Sequence, residues 1–205
     1  MFRPTRVLLA FAAIAAIAAA TAPSASAVPD RQLSKVLGDM WTTILETPAE
    51  DNPFTGGDPC VELGANIVAP FAGGAELTCV VKPGTRIFVA AYSAECSTVE
   101  DPPYHGDDEQ ELRTCARNNV VAFEPVSATV DGRPIALTRV QTALLNFVLP
   151  PDNVFGLAAG TTGQSVGDGW VALLGPLTPG SHEILIYTNG NQLASRNTIR
   201  VQPGA

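Results

Sequence analysis

From residue 30 onward, apolar side chains fall at Leu33, Val36, Leu37, Met40, Trp41, Ile44 and Leu45. Steps of three and four place them on one face of a helix. The spacing predicts a helix that begins at Asp30, as its cap, and is stopped by Pro48. The apolar face, Trp41 included, calls for a sheet to pack on. Beyond residue 51 the period changes. Short apolar or alternating runs at residues 66–71, 76–81, 85–92, 120–130, 136–149, 170–174, 183–188 and 198–202 read as strands. Asn52-Pro53, Gly56-Gly57 and Thr178-Pro179-Gly180 punctuate them as turns. Asp131-Gly132 and Asn189-Gly190 signal hairpins, because both dipeptides tolerate positive φ. A second, weaker helix is predicted over residues 107–117. Asp107, Asp108 and Glu109 would face the positive end of its dipole, with Arg113 and Arg117 near the other. Residues 156–169 are rich in glycine and small side chains and read as a mobile loop. Short strands without β–α alternation predict a mainly β chain. The expected form is a β-sandwich or distorted barrel with an N-terminal amphipathic helix over one face or end.

The first residues have a different pattern. Arg3 and Arg6 precede an unbroken apolar run over residues 7–20, and Ala25-Ser26-Ala27 closes the segment. Small side chains at those two alanines suit signal peptidase, so the sequence predicts a leader over residues 1–27, cut between Ala27 and Val28. The apolar run is too short for a bilayer core that needs ~20 residues. The arginines are not adjacent, and Val28 offers no cysteine for a lipid. No later segment is apolar enough to span a membrane. The mature chain, residues 28–205, is read as a single secreted mainly β domain.

The net charge is −8, and it becomes more negative once the leader's two arginines are removed. No basic stripe interrupts it, which argues against nucleic acid and anionic membrane surfaces as partners. All four cysteines, Cys60, Cys79, Cys96 and Cys115, lie beyond the leader. An even count in an exported chain predicts two disulfides. Of the three pairings, the sequential one is favoured, Cys60–Cys79 and Cys96–Cys115, because each pair flanks a turn-rich segment of similar length. Zinc is disfavoured, since no C-x-x-C spacing is present.

Two stretches invite chemistry. Gly163-Gln164-Ser165-Val166-Gly167 matches the serine nucleophile elbow, but no helix is predicted after it and only His182 lies downstream. It reads as a glycine loop ahead of a strand. Residues 95–111 concentrate carboxylates. Glu95, Asp101, Tyr104, His105, Asp107 and Asp108 form the candidate ligand surface there, with calcium as a candidate cofactor through carboxylate oxygens. Paired carboxylates in this segment would also suit general acid–base work on a glycoside. The plainest reading is a solvated acidic loop tied at its base by Cys96 and Cys115. Trp170 is predicted to be core, and His182 a strand residue at a turn.

Several phrases recur together: Trp41…Ile44…Pro48…Asn52-Pro53…Cys60; Cys79…Pro83-Gly84…Phe88; Glu95-Cys96 with Leu112-Arg113; Ala128-Thr129-Val130-Asp131-Gly132; Asp152-Asn153-Val154-Phe155-Gly156-Leu157; and Gly169-Trp170…Gly175-Pro176-Leu177-Thr178-Pro179-Gly180-Ser181-His182. In this order they resemble a group of small exported bacterial proteins of actinobacterial type. The resemblance implies an exported domain and carries no catalytic residues. The functional expectation is a secreted, non-catalytic β-sandwich module that binds an extracellular or cell-wall component, glycan or protein. Its rivals are a hydrolase using carboxylates of residues 95–111 and a protease inhibitor presenting a disulfide-held loop.

Overall fold

The computed structural model describes residues 28–64, 66–71 and 76–204; the leader read over residues 1–27 lies outside them. The first helix, α1, spans Asp30–Leu45 and buries every apolar position that the spacing picked out. Pro29 occupies its N-cap, not Asp30, and no side chain caps it.

Beyond α1 the described residues form eleven strands. Six make one sheet: β1 (Cys60–Leu63), β2 (Ile67–Pro70), β4 (Arg86–Ser97), β7 (Thr138–Gln141), β8 (Leu145–Val148) and β9 (Thr162–Leu174). Their order is β1-β2-β4-β9-β7, with β8 also pairing β9. Five make the other, in the order β3-β11-β10-β5-β6. These are β3 (Glu76–Val81), β5 (Ser127–Val130), β6 (Arg133–Ile135), β10 (Gly180–Thr188) and β11 (Gln192–Val201). The two sheets pack face to face through Ile87, Val89, Ala91 and Ala172 on one side and Leu77, Ile184, Ile186 and Ile199 on the other. Neither sheet closes, so the fold is a β-sandwich and not a barrel. On the outer face of the larger sheet, α1 packs Leu37, Met40, Trp41 and Ile44 onto Phe88, Val140, Val171 and Leu173. A second helix, α2, spans Glu109–Val121 and covers Cys96 and Val166.

Both hairpin turns form, with Asp131, Gly132, Asn189 and Gly190 all at positive φ. Both disulfides pair sequentially. Cys60–Cys79 ties the two sheets together, and Cys96–Cys115 ties β4 to α2. Two bridges of this kind fit an oxidising environment. Among the described residues no helix is long and apolar enough to cross a membrane.

Other expectations need correction too. Residues 136–149 are not one strand but two, β7 and β8. The first strand, β1, was not expected; it is too short and mixed to show a period. α2 runs to Val121, so residues 120–126 are not strand. Residues 162–169 are not a loop but the first half of the long central strand β9. Its glycines are there for space. A methyl group added at Gly163 would lie 2.3 Å from the Phe147 ring, and one at Gly167 would lie 2.6 Å from the Trp41 ring. Glycine here admits aromatic rings onto the sheet instead of bending the chain.

Candidate functional site

The strand β4 has two unequal edges. β9 pairs with it from Ile87 to Ser97. On the other edge, β2 runs parallel to it and reaches only Arg86 and Ile87. Pro70 ends that contact, because proline has no N–H to offer the ladder. At the far end Ser97 is bridged by the chain around His105: its N–H donates to the Tyr104 carbonyl at 3.0 Å, and Gly106 N–H donates back at 3.4 Å. Between these two contacts no described residue pairs with β4.

A cleft of about 710 Å³ runs along this open edge. On the α1 side it is lined by Trp41, Ile44, Phe54 and Phe71; on the other side by Tyr92, Phe123, Ile186 and Ala194. Tyr104 and Phe155 also line it. Trp41, Phe54 and Phe71 pack mutually, with centroids 5.3–6.3 Å apart. Tyr92 and Phe123 stack at 4.4 Å. Such pairs hold their rings in place as well as burying area.

Two asparagines aim phenylalanines at the cleft in the same way. Asn52 is fully buried. Its amide donates to the Ile44 carbonyl at 2.7 Å, at the end of α1, and its Oδ1 accepts from Phe54 N–H at 3.0 Å. Asn153 donates to the Pro150 and Leu157 carbonyls, and its Oδ1 accepts from Phe155 N–H at 3.2 Å. Each is a side-chain turn that fixes a ring two residues on.

The polar content of the cleft comes from β4. Its register slips by one residue between Ala90 and Tyr92. Before this bulge Phe88 and Ala90 face α1. Without the slip, Tyr92, Ala94 and Cys96 would continue that face. The extra residue reverses the phase, so Ser93 and Glu95 turn to the α1 side, while Tyr92 and Cys96 turn toward Phe123 and α2. Glu95 is only 6% exposed. Its Oε1 has no hydrogen-bond partner, and the same holds for Ser93 Oγ and Trp41 Nε1. All three residues line the cleft.

The Glu100 carboxyl, held by the Ser97 hydroxyl at 2.9 Å, lies within hydrogen-bonding range of Glu95. Burial first, and then the nearby Glu100 charge, push the Glu95 carboxyl well above the usual range. Ser165 pulls it the other way, without reaching normal hydrogen-bond geometry. Glu100 is also raised, by burial, against the lowering effects of Glu95 and Ser97. Two carboxyls this close titrate as a pair. Tyr92 keeps its hydroxyl proton, its pKa raised to about 12 by burial and by Tyr104.

Of the six residues singled out in the sequence, Glu95 and Tyr104 line the cleft. The others are spent elsewhere. Asp108 caps α2, its Oδ1 accepting from Glu111 N–H at 2.9 Å, while Glu111 accepts from Asp107 N–H. His105 places one ring nitrogen against the Asp107 carboxylate and the other against the Glu100 carbonyl, and these two acceptors raise its pKa. Asp101 stays exposed in a turn. Among the described residues no three acidic, histidine or cysteine side chains gather as a metal would require. Ser165 lies inside β9 with no exposure, and His182 sits on the other sheet against Asp131, so they form no triad. Trp170 is half-buried and donates to Glu124 at 2.8 Å.

Sequence pattern alone did not mark Trp41 as a cleft residue, and it passed over Phe54, Phe71, Ser93 and Phe123 altogether. One signal was present. Glu95 is the only charge in the run from Ile87 to Cys96, and a charge inside an apolar strand calls for a reason. Compared with family models, curated proteins and solved structures, the chain matches none of them.

Proposed function

We propose that this is an exported, non-catalytic β-sandwich module whose ligand occupies the cleft along β4. One observation carries the reading: a cleft of about 710 Å³ along the edge of β4 is walled by the rings of Trp41, Phe54, Phe71, Tyr92 and Phe123, with the buried acid Glu95 in its lining. Rings already held against one another offer apolar area to a partner at little cost in order. The Glu95 and Glu100 carboxyls at one end oppose an anion. The ligand class is therefore uncharged and partly apolar, and comes from the extracellular or cell-wall milieu.

The two tryptophans give a direct test. Trp170 N–H is already donated to Glu124, so it serves as an internal reference. Neutral oligosaccharides, peptides and the uncharged fluorophore Nile red are titrated while the two indole N–H resonances are followed. A cleft ligand shifts the Trp41 signal and leaves that of Trp170 in place. Shifts confined to Trp170, or none with any probe, overturn the reading. Turnover of any probe, lost in Glu95→Gln, would instead make the carboxyl pair catalytic.

A further inference from the structure

The cleft does not sit on one face of the sheet. It wraps around the free edge of β4, with Trp41, Phe54 and Phe71 on one flank and Tyr92, Phe123, Ala194 and Ser195 on the other. A compact ligand needs one flank only. An extended chain needs both, because its successive side chains point to opposite faces.

The main chain of β4 supports the same idea. In a strand, alternate residues turn their N–H and C=O to the same edge. Arg86 N–H donates to the Asn66 carbonyl and Ser97 N–H to the Tyr104 carbonyl, which identifies the open edge at both ends. Counting inward, and allowing for the bulge, Ala90, Ser93 and Glu95 present their main-chain groups to the cleft. The slot has fixed ends, Pro70 where β2 stops and Tyr104 where the next contact begins. The acidic character of the chain sets a further condition, since an anionic occupant would meet Glu95 and Glu100 at one end of the slot.

We propose that a short extended polypeptide segment, non-acidic and with apolar side chains at alternate positions, binds as an added strand on the open edge of β4. Its main chain pairs with Ala90, Ser93 and Glu95, and its side chains divide between the two aromatic flanks. This rests on the reading of the cleft as the ligand site and adds the ligand's class and its mode of attachment.

The test uses the disulfide-intact protein. Linear heptapeptides displayed on phage are selected against it, and the enriched sequence is synthesised with each backbone amide N-methylated in turn. Strand addition predicts a loss of about tenfold or more at alternate amides and little change at those between. The rim variant Ala194→Arg, checked for an unchanged melting temperature, is expected to lose peptide binding; the amide scan stands without it should the variant fail to fold. A selection that enriches no peptide, or a scan with no alternation, overturns the proposal. Nile red separates the two levels of failure. If it moves the Trp41 resonance while peptides do not bind, the cleft remains a ligand site and the added strand is lost. If neither moves it, both readings fall.

Discussion

Two buried acids sit almost side by side on paired strands, and they are treated in opposite ways. Ala94 and Glu95 of β4 pair with Asp168 and Gly167 of β9. Asp168, on the α2 side, accepts from Arg139 Nε at 2.8 Å. Arg139 also donates to Glu124, which accepts from Trp170 as well, each at 2.8 Å. Here both carboxylates share one guanidinium and have donors to accept from. Glu95, on the α1 side, meets no cation, only a second carboxyl and the unpaired Ser165 hydroxyl. The satisfied cluster holds β7, β9 and the end of α2 together. The unsatisfied one lies at the cleft along β4. Equal burial, then, says little about an acid's role; its partners say more.

The largest expected effect breaks the matched side. Asp168→Ala leaves the Arg139 guanidinium partly buried beside a cavity, and should cost about 3 kcal/mol in denaturant unfolding. Melting that hardly moves would show the network to be idle. The unmatched side should respond with the opposite sign. The native pKa of Glu95 is raised, so the unfolded chain sheds its proton more readily, and stability falls as pH climbs above the unfolded value of ~4.3. Glu95→Gln removes that penalty. At neutral pH it should raise Tm by roughly 2–4 °C, flatten the fall of Tm with pH, and weaken cleft binding. A lower Tm in this variant would mean that Glu95 is structural after all.

The smallest effect comes from an exposed pair that sets the scale. His182 faces acceptors at both nitrogens, Asp131 at 2.7 Å and the Thr178 carbonyl at 2.8 Å, which raises its pKa, while Asp131 is lowered by the same contact. The His182 contribution is complete below its unfolded value of ~6.5 and fades as pH rises through the raised native one. The Asp131 contribution is complete above ~3.9 and fades as pH falls through its lowered value. His182→Gln should remove both edges of that window, by no more than about 1 kcal/mol. A larger change would place this surface pair beside the buried ones.

Much of the scaffold was legible from local pattern. The α1 stripe, both hairpin dipeptides and the cysteine spacing each act through near neighbours or simple chain closure, and all appear in the structure. The central strand β9 was not legible, because its glycines answer to rings distant in the chain, Trp41 and Phe147. The cleft was half legible. Its acidic segment drew notice, but the bulge that turns Glu95 inward depends on pairing with β9 and leaves no mark in composition. Carboxylates at Asp107 and Asp108 looked equally able, and only the structure shows that His105 occupies the first and the cap of α2 the second.

The Cys96–Cys115 bridge fits only this arrangement. Neighbours in a strand face opposite ways, so the sulfur of Cys96 can reach Cys115 on α2 only when Glu95 points away from that helix. A chain that folded without the extra residue at Ala91 would present the carboxyl to α2 and withdraw the thiol. A bridge between Cys96 and Cys115 therefore requires the acid to lie on its own side of the sheet.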